Sequence, residues 1–199
     1  MTGPFPAEFP TLRTERLILR ETVADDADDI LAFRGDAEVQ RYNLVPMKSR
    51  SEALALVRTM RGWYTTGYAI QWGITVRDED RVLGLCGLHD VSRARGRAAI
   101  GYDLLRSHWG QGVAGEAVRA VLRFGFEEMG LTRLVALTMT ENARSIRLLQ
   151  RLGFTLDSER QAGSQGAFDP GRYYDYDGRA IYSLLRNEYE PAEAPPPQG

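Results

Sequence analysis

The stretch Trp109-Gly-Gln-Gly-Val-Ala-Gly-Glu116 decides how the rest of the chain is read, because it joins a strand to a helix. Upstream, Ala98–Leu105 has the content of a strand. Downstream, Val118, Val121, Leu122 and Phe126 give one apolar face to a helix that runs to Met129 and stops at Gly130. Glycines at 110, 112 and 115 let a ligand approach the main chain with no side chain in the way. The first-turn N–H groups of the helix, unpaired within it, point outward with the positive end of its dipole behind them. A phosphate suits that setting.

The same letters, Gly110-x-Gly112-x-x-Gly115, spell the dinucleotide-binding fingerprint. That fingerprint follows its strand directly, opens a series of βαβ units and has an acid roughly 20 residues on. Here Arg106, Ser107 and His108 intervene, and Glu141 has no further parallel unit behind it. The loop contains no lysine, which excludes a Walker A motif. A purely structural glycine turn is the remaining alternative.

Arg16-Leu-Ile-Leu-Arg20 reads as a strand, and the acidic stretch Asp25–Asp29 opens a helix carrying Ile30, Leu31 and Phe33. Ser49 and Glu52 have capping-box spacing. Behind them Ala53, Leu56, Val57, Met60, Trp63 and Tyr64 follow helical periodicity up to Gly67. Tyr68–Arg77 and Arg81–Val91 form a hairpin around Asp78-Glu-Asp80, and the basic loop Ser92–Arg97 leads to the strand before the glycines. After the central helix come a strand at Leu134–Met139, a short helix over Asn142–Leu152 and two closing strands between Phe154 and Tyr189. An antiparallel run ending in a βαβ crossover predicts a mixed sheet with helices on both faces. Residues 12–189 are expected to be one domain, residues 1–11 a loose arm, and residues 190–199 a disordered Pro-rich tail.

Composition narrows the function. With 199 residues, 43% hydrophobic and 26% charged, the chain has the makeup of a globular domain. A net charge of −2 gives no general attraction to nucleic acid or acidic membranes. Cys86 is the one cysteine, and His89 and His108 are the two histidines. These exclude an intrachain disulfide and leave a zinc site or a Ser-His-Asp triad poorly supplied, so no metal is expected. The N-terminus lacks the basic and apolar segments of a signal peptide, and no stretch approaches the roughly 18 apolar residues of a membrane span. The cytoplasm is the expected compartment.

The loop resembles the pyrophosphate loop of the GNAT N-acetyltransferases, Arg/Gln-x-x-Gly-x-Gly/Ala, with Trp109 standing at the Arg/Gln position. Trp-Gly-x-Gly-x-Ala followed by Glu-Ala is typical of the RimJ/RimL-like branch, which acetylates ribosomal-protein N-termini. Four further segments are similar to that branch: Thr14–Arg20, Ile100-Gly-Tyr102, Asn142-Ala-Arg-Ser145 through Phe154, and Gly171–Asp175 with Leu184–Tyr189. The resemblance covers roughly residues 12–189. It implies an α+β GNAT fold: a mixed, mostly antiparallel sheet of about six to seven strands, with helices on both faces, splayed between the strands flanking the cofactor. It also implies a transferase using acetyl-CoA as acyl donor, with direct attack by an amine in a ternary complex.

The resemblance places the diphosphate on Gly110, Gln111, Gly112, Val113, Ala114 and Gly115. Leu104 would offer its N–H to the carbonyl, Asn142 would bind pantetheine, and Arg147 and Arg151 would reach phosphates. Asn142 as a plain helix cap is the alternative. Ser145 is the candidate general acid. Many members carry a glutamate just ahead of the Ile-Gly, where this chain has Ala99. That leaves Asp90, His89 and Asp175 as candidate bases. Tyr42, Trp63, His89 and Tyr174 are candidates for the acceptor pocket. An α-amine, near pKa 8, asks less of a base than a lysine near 10.4, which favours a protein N-terminus as acceptor. A small amine (amino sugar, antibiotic or polyamine) and a non-catalytic acyl-CoA-binding module remain alternatives. Monomer and homodimer are both left open.

Overall fold

The computed structural model describes residues 5–43, 45–157 and 179–191. Strands β1 (Leu12–Arg13) and β2 (Leu17–Arg20) lead through a short 3-10 turn to helices α1 (Ala27–Arg34), α2 (Ala37–Gln40) and α3 (Arg50–Thr66). Strands β3 (Ile70–Val76), β4 (Gly84–Ser92) and β5 (Arg97–Leu104) follow. Helix α4 (Val113–Arg123) crosses to β6 (Arg133–Met139). Helix α5 (Ala143–Arg151), β7 (Thr155–Leu156) and β8 (Arg179–Leu185) complete the described chain.

The eight strands form one sheet in the order β1-β2-β3-β4-β5-β6-β8-β7. The β5–β6 pair alone is parallel, as a crossover through α4 requires, and the other neighbours are antiparallel. The strand beyond the seven expected is β1, a pair of residues too short to show alternation.

Local sequence explains the helices. At α3 the Ser49 hydroxyl accepts from the Glu52 N–H, and Gly67 ends the helix at φ 76°, a conformation costly for any residue with a Cβ. α4 turns Val113, Ala117, Val118, Val121 and Leu122 inward, each at most 5% exposed. Burying one such Val or Leu contributes about 1.5–3 kcal/mol. Beyond Arg123 the helix widens into a π turn over Phe124–Glu128, and Phe124 meets Trp72 edge-on at 5.2 Å. The four-residue α2, capped by the Asp36 carboxylate on the Glu38 N–H, has no sequence periodicity to reveal it.

The two sheet faces have different partners. Alternation puts Leu85, Gly87 and His89 of β4 on one face with Ala99, Gly101 and Asp103 of β5. That face carries α1 and α3, through Ile30, Phe33, Val57 and Met60 against Leu85. The opposite face, with Cys86, Leu88, Ile100 and Leu104, is covered by α4 through Val113, Val118 and Val121.

The expectation of a loose arm is corrected for residues 5–11. Phe5 is 8% exposed and stacks on Tyr64 at 5.4 Å, while Phe9 packs on both Tyr64 and Trp72. The Tyr64 hydroxyl lies 2.6 Å from the Pro6 carbonyl oxygen and 2.9 Å from that of Glu8, and the Trp72 indole N–H donates to the Pro10 carbonyl. Phe5 and Phe9 anchor the segment on these aromatic partners, while Pro6, Ala7 and Glu8 stay exposed.

The break in the sheet matters most for the site. β5 and β6 pair at Arg97↔Arg133, Ala98↔Leu134 and Ala99↔Val135, and then part. Ile100–Leu104 and Ala136–Met139 therefore flank a gap that opens toward the C-terminal ends of both strands. Among the described residues no helix is long and apolar enough to cross a membrane.

Candidate active site

The glycine loop lies at the open end of this gap. Gly110 and Gly112 have φ of 76° and 81°, so both need glycine for their backbone conformation. A Cβ on Gly110 would meet nothing within 4 Å, and one on Gly112 would meet only the Arg16 guanidinium, at 3.2 Å. The main chain is thus bare where it enters α4. Gly115 differs: it is buried, and its Cβ position faces Leu148 of α5 at 3.4 Å, so it serves the packing of α4 on α5.

Arg16 and Glu116 clamp the loop from behind. The Glu116 carboxylate accepts from the Thr14 hydroxyl (2.6 Å), the Arg16 N–H (2.9 Å) and Arg16 Nε (2.7 Å). Arg16 Nη1 donates onward to the Gln111 carbonyl at 3.1 Å. Burial pushes the Glu116 carboxyl up, but the Thr14 hydroxyl and the Arg16 donors outweigh it and hold it below its ordinary value. Gln111 turns its side chain back onto the Ser107 carbonyl (2.8 Å), so its side-chain amide is engaged within the loop.

The backbone direction of β5 follows from one bond. Leu105 donates its N–H to Leu83 of the β4 side at 2.7 Å. Successive residues of a strand point their polar groups to opposite sides, so Leu104 and Tyr102 direct theirs into the gap. The Trp109 indole N–H donates to the Leu104 carbonyl at 2.8 Å, which leaves the N–H as the Leu104 group for a ligand. Arg144, the second residue of α5, lies over the Trp109 ring at 4.4 Å. The indole at the Arg/Gln position of the motif is thereby wedged between the end of β5 and the start of α5.

Across the gap, Asn142 caps α5: its Oδ1 accepts the Ser145 N–H at 3.2 Å, as the capping alternative required. Ser145 Oγ lies 2.9 Å from the Tyr102 hydroxyl. Burial pushes the Tyr102 phenol up to about 12, against a smaller lowering by Ser145. Arg147 and Arg151 are exposed on α5, with Arg151 Nε donating to the Arg147 carbonyl.

On the α1/α3 face, His89 stands directly opposite Ala99. Its ring leans over Gly101, whose Cβ position is 3.6 Å from Nε2, and Nδ1 is 3.3 Å from Asp90 Oδ2. Asp90 sits at φ 50° where the β4–β5 register slips between His89 and Ser92. Its carboxyl is held below the ordinary range by the His89 hydrogen bond first, then by the His89 charge, Tyr68 and Arg97, against burial. Trp63 meets Tyr68 at 6.0 Å on this side. Tyr42 stands under the Arg41 guanidinium, at 5.4 Å. Asp175 and Tyr174 lie outside the described residues.

The structure thus brings together Leu104, the loop, Asn142 and Ser145 around the gap, and sets His89 with Asp90 on the other face of β5. Arg16, Tyr102 and Arg144 were missed as site residues. Tyr102 shares the alternation of Leu104, which was a usable signal; the Arg16–Glu116 contact spans 100 positions and had none.

A bare, clamped anion loop beside a split sheet defines a protein that holds a phosphate-bearing ligand along strand backbone. Residues 16–155 match the acetyltransferase (GNAT) domain family, and the chain belongs to it. It is 35% identical over 179 residues to the uncharacterized N-acetyltransferase YoaA of Bacillus subtilis, covering 89% of this chain and 98% of the relative. The [ribosomal protein uS5]-alanine N-acetyltransferase of Escherichia coli is 26% identical over 72% of this chain and 77% of its own length. In fold, RimL, the ribosomal L7/L12 α-N-protein acetyltransferase solved with coenzyme A, superposes with a TM-score of 0.71 at 20% identity, over 88% of this chain and 98% of that one. The chain is an N-acetyltransferase.

Proposed function

We propose that this chain transfers the acetyl group of acetyl-CoA to a protein N-terminal α-amine by direct attack in a ternary complex. The observation that carries the reading is the register of β4 on β5. Where many relatives have a carboxylate, Ala99 offers only a methyl group, and directly opposite it stands His89 backed by Asp90. Such a base suits an amine that is already partly neutral near pH 8, as an α-amine is. The name of the Escherichia coli relative, an alanine N-acetyltransferase of a ribosomal protein, supports the same acceptor class.

The residues present fit the donor. The outward N–H groups of Val113, Ala114 and Gly115, with Gly110, Gln111 and Gly112 leading into them, receive the diphosphate, and Arg16 stands beside them. The gap-facing N–H of Leu104 polarises the acetyl carbonyl, as an oxyanion-hole donor does. The Asn142 amide faces pantetheine, and Arg147 and Arg151 reach the outer phosphates. The acceptor approaches over Gly101 on the α1/α3 face, and Trp63 and Tyr42 are its proposed lining. His89 takes the ammonium proton, Asp90 orients and supports the imidazolium, and Ser145 hands a proton to the departing sulfur.

The test mixes purified protein with acetyl-CoA and a panel of peptides with free Ala, Ser and Met N-termini, amino sugars and polyamines, following thiol release. Faster turnover of peptides than of any small amine supports the reading. Turnover of small amines alone replaces it with a small-molecule acetyltransferase. Micromolar CoA binding with no turnover of any amine reduces the chain to an acyl-CoA-binding module.

A further inference from the structure

Ser145 poses a chemical difficulty for the reaction just described. A serine hydroxyl is a poor acid, and giving its proton to a thiolate would leave an alkoxide in a half-buried site. Ser145 is not alone, however. The Tyr102 hydroxyl reaches it from the other side of the gap, with 2.9 Å between the oxygens. One group rides on β5 and the other on the first turn of α5, so the contact spans the two walls between which the donor's thioester arm would lie.

We infer that Tyr102 positions the Ser145 hydroxyl and supplies it with a proton during acyl transfer. The inference rests on the acetyl-transfer reading above. The Ser145 backbone N–H is fixed by Asn142 Oδ1, so the cap does not set the direction of the side-chain hydroxyl. The Tyr102 phenol keeps its proton, because burial pushes it to about 12. The titratable neighbour opposite it on β4, Cys86, is itself neutral, since burial pushes that thiol up as well. Both hydroxyls carry their protons and either oxygen can be the donor; in the arrangement that serves transfer, the phenol donates to Ser145 Oγ. Ser145 must then aim its own hydrogen elsewhere, and the gap is the open direction.

The step balances. The amine nitrogen forms the new N–C bond, the C–S bond breaks, and sulfur leaves with the electron pair. Sulfur takes the Ser145 proton as Oγ takes the phenol proton. Water then reprotonates the phenolate, while His89 loses the amine's proton to solvent. The effective acid is therefore a phenol in place of an aliphatic alcohol, and chained hydrogen bonds strengthen one another in such a site. Tyr102 acts through Ser145 and is a positioning residue.

The experiment compares wild type, Tyr102→Phe, Ser145→Ala and the double variant, each checked by circular dichroism and CoA titration, on the best amine of the panel. Tyr102→Phe is expected to lower kcat about tenfold or more, in the range of lost acid catalysis, with KM for acetyl-CoA within about twofold. Ser145→Ala should match it, and the double variant should be no worse than either. Raising the imidazolium buffer concentration at fixed pH should restore rate in all three variants and leave wild type unchanged. Wild-type kcat in Tyr102→Phe would overturn the proposal. So would a loss of CoA affinity as large as the loss of rate with no response to buffer, because that marks a contact which only holds α5. If Tyr102→Phe does not fold, 3-fluorotyrosine at position 102, a more acidic phenol of nearly the same shape, decides: a changed kcat with KM for acetyl-CoA unchanged supports the relay, and an unchanged kcat overturns it. Absence of turnover by wild type would sink the acetyl-transfer reading itself, a result distinct from an active wild type with an indifferent Tyr102→Phe.

Discussion

Glu116→Gln isolates the clamp behind the loop. The glutamine keeps an oxygen for the Thr14 hydroxyl and the Arg16 N–H, but replaces the second oxygen with an NH2 facing Arg16 Nε across 2.7 Å. Two donors then oppose each other, and one charge-assisted hydrogen bond is lost, worth about 1.5–3 kcal/mol in a shielded setting. The Arg16 side chain is 49% exposed, so water and salt reduce that to about 1 kcal/mol. If the clamp sets the path of Gln111 and Gly112, the same energy appears as roughly fivefold weaker CoA binding. Urea unfolding and calorimetric CoA titration at pH 7.5 measure the two effects on the same samples. The pH dependence has a definite sign. The folded-state pKa of Glu116 lies below its ordinary value, so its contribution is complete above the ordinary carboxylate range and drains away as the pH falls through the folded value. Wild type and variant should therefore converge in strong acid. A Glu116→Gln protein that loses stability yet binds CoA like wild type would show that the ion pair holds the fold and not the loop.

Other perturbations follow from the same geometry. Gly112→Ala forces a Cβ onto φ 81° and against Arg16, which should cost about 1–2 kcal/mol in thermal unfolding and weaken CoA binding further than Glu116→Gln does. Asp90→Asn keeps a residue that tolerates φ 50° but removes the charge beside His89; kcat should fall about tenfold or more with KM for acetyl-CoA unchanged, and His89→Asn should fall at least as far. Tyr64→Phe leaves the Pro6 and Glu8 carbonyls without their hydroxyl donor and should cost about 0.5–1.5 kcal/mol in urea unfolding, with faster proteolysis of residues 5–11.

The parts of the fold that were legible in the sequence are those written in local chemistry. Ser49 with Glu52, Gly67, and the glycines of 110–115 announce their helix ends because caps and positive φ act within a few residues. The crossover helix and the antiparallel run before it followed from periodicity. What stayed hidden depends on partners far along the chain. The proline-bearing arm looks unstructured until Tyr64 and Trp72 are placed beside it. The pairing of His89 with Ala99 depends on the 3-10 turn at Arg93–Arg95 and the register slip before it, neither of which any pattern specifies. For the same reason Asn142 and Ser145 could be named as a pair, while the phenol that bonds Ser145 comes from 43 positions away.

The three rungs between β5 and β6 leave the molecule with two strand edges that face each other inside one sheet. An open edge is ordinarily a hazard, because any extended chain can pair with it. Here α4 packs against β5 beside the seam. On the proposed reading pantetheine, with its own amide groups, is in effect a removable strand. On that reading the sheet is bridged across the seam while the donor is bound. Its resistance to unfolding should rise with the acetyl-CoA supply as RT ln(1 + [L]/Kd), so the metabolic state of the cell is felt in the sheet itself.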